Sequence, residues 1–117
     1  MSGIQMALLA ASGTSLSVTA DDAVGFAEGP SNSGLVTTEN STNTTAAGGV
    51  APYTYAWARV SGSSPTINSA TAQNPSWSET VFDGAESASV WRVTVTDSVS
   101  STAYVDINVY LTWVDTR

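Results

Sequence analysis

The chain has 117 residues, 11% of them charged, with a formal net charge of −7 and no histidine or cysteine; this length suits a single domain. Lysine is absent and the only cations are Arg59, Arg92 and Arg117, which argues against partners that are nucleic acids or anionic membranes. Without His, Cys or Lys the usual catalytic bases and nucleophiles and the usual zinc and iron ligands are missing, so we expect no enzymatic activity, no metal and no cofactor.

The apolar sequence of the first segment, residues 1–13, predicts an arm or edge strand that docks on this domain or on a neighbouring protein. Its apolar run is far shorter than the ~20 residues that cross a bilayer. It also lacks the basic start of a signal peptide, since the first cation is Arg59. The side chains that we expect at an interface here are Ile4, Met6, Leu8 and Leu9.

The strands of the first half are marked by alternation and by turn residues. Leu16, Val18 and Ala20 alternate with hydroxyl residues, which predicts a strand over residues 14–20. Residues 24–27 continue it on the other sheet, and residues 28–34 read as a loop. A further strand is predicted to begin at residues 35–38 and to continue through residues 39–46. Thr is frequent there and apolar residues are few, so its inner face offers little apolar surface to the core.

Two aromatic strands dominate the second half. Tyr53, Tyr55 and Trp57 share one face of a strand over residues 53–60, and Trp91 shares a face with Val93 and Val95 over residues 89–96. Between them lie a short strand at residues 66–69, a strand at residues 76–82 that carries Trp77, and a turn at Asp83-Gly84.

The last predicted strand covers residues 102–113, with its aliphatic side chains at alternate positions. Tyr110 and Trp113 are expected on the opposite face or beyond the end of the domain, where exposed aromatic side chains anchor protein interfaces. Simple packing of an edge strand is the other interpretation. The interface residues predicted at this end are Tyr110, Leu111 and Trp113.

Together these strands predict an all-β, immunoglobulin-like sandwich of about seven strands. The domain is expected to span residues 14–113, with a tail at residues 114–117. Its core is expected to contain Trp57, Trp77, Trp91, Val93, Val95, Val105 and Ile107.

Three motifs carry a resemblance to a known family: Gly-Gly-x-x-Pro-Tyr-x-Tyr-x-Trp at residues 48–57, Thr-x-Asn-Ser at residues 66–69, and Trp-Arg-Val-Thr-Val-Thr-Asp at residues 91–97. Over residues 35–110 the chain resembles PKD-like and Ig-like domains, and it is most similar to small Ig-like structural proteins of tailed bacteriophages. Val93 stands where many relatives have a cysteine. Ser61-Gly62-Ser63-Ser64 replaces the Asp-rich turn of PKD domains, which weakens any transfer of calcium binding.

The resemblance implies a non-enzymatic accessory protein of a virion, either a component of the tail or tail fibre or a decoration protein of the capsid. It would assemble in the host cytoplasm and be exposed on the particle surface. Its partners would be other virion proteins, copies of itself and, in host adhesion, surface glycans. The alternative is a carbohydrate-binding or adhesive module of a bacterial surface protein.

Acidic residues in predicted turns raise the alternative of a calcium site. They are Asp21, Asp22, Asp83, Glu86 and Asp97. None has the Asp-x-Asp-x-Asp-Gly spacing of a specific calcium loop. Each is explained equally well as a turn residue that accepts hydrogen bonds from its own backbone.

Overall fold

Strands and turns make up the described part of the chain, residues 15–117 of a computed structural model. Within that range there is no helix, and hence none long and apolar enough to span a membrane. The described residues form nine strands. They are β1 Ser17–Thr19, β2 Ala23–Gly29, β3 Ser33–Thr37, β4 Thr45–Ala47, β5 Thr54–Gly62, β6 Thr66–Ile67, β7 Trp77–Phe82, β8 Ser87–Thr96 and β9 Thr102–Asp115.

Three groups of hydrogen-bonded strands build the molecule. The largest has the order β2-β9-β8-β5, the second the order β3-β7-β6, and β1 pairs with β4. All pairs are antiparallel except β2 with β9, which are parallel. This arrangement confirms that the fold is all-β and sandwich-like.

The main core is a cluster of three tryptophans between sheets. Trp77 on β7 is fully buried, and its ring meets Trp57 of β5 edge-on at 5.3 Å and Trp91 of β8 at 5.6 Å. Val93, Val95 and Ile107 are buried in the same cluster, as predicted, whereas Val105 is only partly buried. Each Trp removes on the order of 200 Å² from water, which stabilises the fold by about 5 kcal/mol at 25 cal/mol per Å².

The Thr-rich segment between β3 and β4 leaves the sheet, where the sequence predicted a continuous strand. Its inner side is closed by hydroxyl groups, since Thr38, Thr42 and Thr44 are all buried. The Trp77 backbone N–H donates to Thr38 Oγ1 at 3.0 Å. Asn74 Oδ1 accepts from Thr42 Oγ1 at 3.0 Å and from the Thr44 N–H at 2.9 Å. Hydrogen bonds therefore satisfy these groups where apolar side chains are missing.

The chain changes sheet between β1 and β2. β1 lies with β4, and β2 joins β9 in the four-stranded sheet, as expected for residues 24–27. The described residues form nine strands and not about seven because two predicted strands are each interrupted, one between β1 and β2 and the other between β3 and β4. At the other end of the chain β9 extends to Asp115, past the predicted limit at Trp113.

A second, smaller core corrects the expectation for the end of the chain. Leu111 is fully buried and Trp113 is 9% exposed, packed with Val36 and Val81. Both side chains point inward because odd-numbered residues of β9 face the opposite sheet. The indole of Trp113 is accommodated by Gly34, where an added Cβ would overlap the ring. Its Nε1 donates to the Ser31 carbonyl oxygen at 2.9 Å.

We expect Trp57→Ala to lower the free energy of unfolding by about 3–5 kcal/mol, because it opens a cavity beside Trp77. A loss of this size unfolds much of a domain whose stability lies near the low end of the ordinary range, about 5 kcal/mol. Urea denaturation followed by circular dichroism measures it. Ala58→Ser, an exposed substitution on the same strand, is the control and should stay close to wild type. A Trp57→Ala variant as stable as wild type would contradict the core assignment.

Candidate interaction surface

The predicted interface residues fall into three groups in the structure. Ile4, Met6, Leu8 and Leu9 lie outside the described residues. Tyr110 is half-buried on the outer face of the four-stranded sheet, where a partner can reach its ring. The prediction that Leu111 and Trp113 lie at an interface surface is wrong, because both side chains are buried in the second core.

The structure adds an exposed apolar patch that the sequence analysis missed. Val24 is 60% exposed and Phe26 is 61% exposed, both on the outer face of β2. Val24 lies opposite Tyr110 of the neighbouring strand β9. We call these three residues, Val24, Phe26 and Tyr110, the β2 patch.

The patch exists because β2 places its small residues inward. Its inward positions are Ala23, Gly25 and Ala27, and Val24 and Phe26 alternate with them. An added Cβ at Gly25 would lie 2.8 Å from Leu111 Cδ2 and 2.9 Å from a backbone oxygen of β3. Because β2 lies close to the opposite sheet, its inner face has no room for large side chains. The larger residues Val24 and Phe26 occupy the outer face and point to solvent. The alternation of small and large apolar residues was the signal that could have predicted this.

Further along the same face, a charged pair sits beside an aromatic ring. Arg92 Nε donates to Asp106 Oδ1 at 2.8 Å, and the guanidinium lies 4.0 Å from the centre of the Tyr104 ring. This hydrogen bond lowers the pKa of Asp106 and raises that of Arg92. Because both side chains are well exposed, the pair adds little stability, but it neutralises this part of the face.

The other two arginines are engaged as well. Arg117 Nη2 pairs with Asp115 at 2.7 Å, and Arg59 Nη1 donates to the Gly62 carbonyl oxygen at 3.1 Å. The protein thus has no cluster of cations that could neutralise a row of phosphates.

The carboxylates of the predicted turns accept hydrogen bonds at separate places in the fold. Asp22 accepts from the Asn108 N–H at 2.8 Å, and Asp83 accepts from the Asp115 N–H at 3.0 Å. In residues 15–117 no group of three acidic, His or Cys side chains is arranged to hold a metal ion. Asp22 and Asp83 therefore accept from distant residues of β9, and not from the backbone of their own turns as the turn-residue interpretation expected.

Asp97 is the most constrained of these acids. The residue is 6% exposed, and its carboxylate accepts hydrogen bonds from the backbone N–H groups of Val50 at 3.0 Å, Ser101 at 2.8 Å and Val99 at 3.1 Å. Burial raises the pKa of Asp97, but these three donors lower it by more, and the net shift is downward. An added Cβ at Gly49, whose φ is +56°, would lie 2.6 Å from this carboxylate. Asp97 thus ties the Gly-Gly turn before β5 to the turn between β8 and β9.

A shallow groove of about 200 Å³ lies between β7 and the start of β8. Glu79 and Ser87 are its most reactive groups, and Ser87 Oγ donates to Glu79 Oε1. A nucleophilic serine needs a base that is in turn oriented by a third group. In the described part of the groove the other lining residues are Ser63, Thr80, Val81, Phe82, Ala85 and Glu86. None of these residues is a histidine or lysine, the usual bases beside a nucleophilic serine.

Comparison with known proteins identifies no relative: no family model, no curated protein and no solved structure matches the chain.

We expect Asp97→Asn to lower the Tm at pH 7 and to flatten its fall in acid. The pKa of Asp97 is lower when folded, so its stabilising effect is present above the unfolded pKa of about 3.9 and is lost as pH falls through the folded value. Some acid dependence will remain, because the pKa values of Asp106 and Asp115 are also lowered.

Thermal unfolding between pH 7 and pH 3 measures the effect. Glu39→Gln, which removes an exposed carboxylate, is the control and should keep the wild-type Tm at pH 7. Identical profiles for Asp97→Asn and wild type would show that the three hydrogen bonds contribute nothing net.

Proposed function

We propose that this protein is a non-enzymatic structural protein of a tailed-phage virion that displays an Ig-like, PKD-like sandwich. The proposal allows two positions for the protein on the particle, the tail or tail fibre and the outer surface of the capsid. The resemblance of residues 48–57 and 91–97 to small Ig-like phage proteins suggests the proposal. In the structure, the order of the strands supports the Ig-like part of the proposal.

That order matches an Ig-like arrangement if two strands are interrupted. Taking β3 and β4 as two parts of strand B, the pairs β1–β4, β3–β7 and β7–β6 give the order A-B-E-D. The pairs β5–β8 and β8–β9 give C-F-G. Immunoglobulin constant-type domains have these two sheets. Counting β1 and β2 as one interrupted strand A then gives the seven strands of that fold.

The surface supports a role in assembly. Three apolar side chains form the β2 patch, and every arginine is engaged within the chain. Exposed apolar groups next to a strand edge are typical of surfaces that a partner covers. The absence of cysteine fits assembly in a reducing cytoplasm.

If the proposal is correct, mass spectrometry of purified particles will find this protein in many copies. Peptides that remain after density-gradient purification and a high-salt wash would separate a mounted protein from a contaminant. Particles that contain a major capsid protein but none of these peptides would remove the proposed function. Labelling with an antibody in electron micrographs would then distinguish tail from capsid.

We also expect assembly to depend on the N-terminal arm. Deleting residues 1–11 removes Ile4, Met6, Leu8 and Leu9 and should abolish incorporation into particles, while the Tm of the sandwich stays close to wild type. Quantitative mass spectrometry of particles from cells that supply the shortened protein measures its occupancy. Unchanged occupancy would show that the docking surface lies elsewhere.

The double variant Val24→Ser/Phe26→Ser provides the comparison. Both side chains are exposed, so its stability should change by less than about 1 kcal/mol. Loss of occupancy in this variant with full occupancy of the shortened protein would transfer the docking role from the arm to the β2 patch.

A further inference from the structure

One half of the last strand has an open edge in the described structure. β2 pairs with β9 from Val109 to Asp115. Before that point, β9 is paired only with β8 among the described residues. We call residues 102–107 the open edge. An edge of this kind presents backbone donors and acceptors that bind another extended chain.

The direction of the open groups follows from the place where β2 begins. Asn108 donates its backbone N–H to Asp22 Oδ1 at 2.8 Å, on the side where β2 joins β9. Because backbone groups alternate along a strand, the N–H and C=O of Tyr104 and Asp106 point to the same side. Asp22 thus accepts from the N–H of Asn108, the last residue of β9 before the pairing with β2 begins. The N–H groups of Tyr104 and Asp106 face outward on the same side.

An uncharged strand can dock on this edge at low electrostatic cost. The carboxylate of Asp106 is already paired with Arg92 at 2.8 Å. Tyr104, at 61% exposed, offers an aromatic ring beside the edge, while Ala103 and Val105 are half-buried on the inner side. A docking strand would therefore meet an apolar inner face and a neutral outer face.

The N-terminal arm has the sequence of such a strand. Residues 4–9 equal the open edge in length and contain no charged side chain, and Ile4, Met6 and Leu8 alternate with Gln5 and Ala7. That period places the larger apolar residues on one face of a strand.

The geometry favours the arm of a second copy over the arm of the same chain. Leu16 lies beside Gly49, at the end of the sandwich that Asp97 closes, so the chain enters β1 from that end. An arm from the same chain must reverse within residues 10–14 to run back along β9, because β1 and β9 contact each other and both begin at that end. An arm from another copy needs no reversal.

We propose that residues 4–9 of one copy add to residues 102–107 of β9 in another copy as an extra strand of its four-stranded sheet. The proposal rests on assembly through the arm, and it names the surface that receives the arm. Because donor and acceptor are different surfaces, copies join either by reciprocal exchange of arms in a dimer or head to tail into rings or chains.

Disulfide trapping tests the proposal, since the natural chain has no cysteine. Ala7→Cys or Gln5→Cys protein is mixed with Thr102→Cys or Tyr104→Cys protein and oxidised, and mixed disulfides are identified by mass spectrometry. In the docked strand Gln5 and Ala7 share the outer face with Tyr104, so we expect at least one of these pairs to give a heterodimer. Leu8→Cys should give severalfold less because its side chain points inward.

Thr54→Cys is the matched acceptor control, because it is an exposed threonine on β5, at the opposite edge of the same sheet. Equal yields with Thr54→Cys, or with Leu8→Cys as donor, would overturn the proposal. So would a double variant Ala7→Cys/Tyr104→Cys that closes within one chain and gives no dimer. The assay uses purified protein, so absence of the protein from virions would refute the proposed function without changing this result.

A second variant pair tests the backbone directly. Tyr104→Pro removes the outward N–H and leaves the hydrogen bonds with β8 in place, whereas Tyr104→Ala keeps that N–H. We expect Tyr104→Pro to reduce the yield of trapped Ala7→Cys heterodimer severalfold, using Thr102→Cys as the acceptor, and Tyr104→Ala to retain it. Circular dichroism checks that both remain folded. A yield that Tyr104→Pro leaves unchanged would also overturn the proposal.

Discussion

The contact between Trp77 and the two tryptophans of the four-stranded sheet is the interaction on which the rest of the structure depends. Trp57 and Trp91 come from β5 and β8, and Trp77 comes from β7 of the opposite sheet. A protein without cysteine cannot link its sheets by a disulfide, so packing must hold them together. The indole N–H of Trp77 has no hydrogen-bond partner among the described residues, and the faces of the neighbouring rings are only weak acceptors. Apolar burial therefore outweighs that cost.

Around this core, hydrogen-bonded polar groups close the ends of the sandwich. Asp97 joins two turns through three backbone donors, and the buried threonines with Asn74 join the segment between β3 and β4 to the start of β7. These interactions are short-range and directional, so they fix the path of the chain where the sheets stop. These hydrogen bonds engage polar side chains that would otherwise be candidates for ligand binding. The outer surfaces and strand edges are then the places left for interaction with a partner.

The two surface features have a common cause in β2. Because β2 lies close to the opposite sheet, its small residues face inward and Val24 and Phe26 face solvent. Because β2 begins only opposite Val109, the first half of β9 has no partner on that side among the described residues. An apolar patch and an open strand edge thus lie on the same strand pair. For a protein proposed to assemble in many copies, this pair is the natural contact region.

The sequence by itself determined the strands and most of the core, because period-2 alternation and turn residues are local signals. It placed Trp57, Trp77, Trp91 and Val93 inside, and it predicted that residues 24–27 join the other sheet; both predictions are confirmed. Only the tertiary structure decided the fate of Trp113, since its burial depends on the missing Cβ atoms of Gly29 and Gly34, which are distant in the chain. The exposure of Phe26 and the open edge at residues 102–107 likewise follow from which strands meet and where their pairing stops, which no single segment encodes.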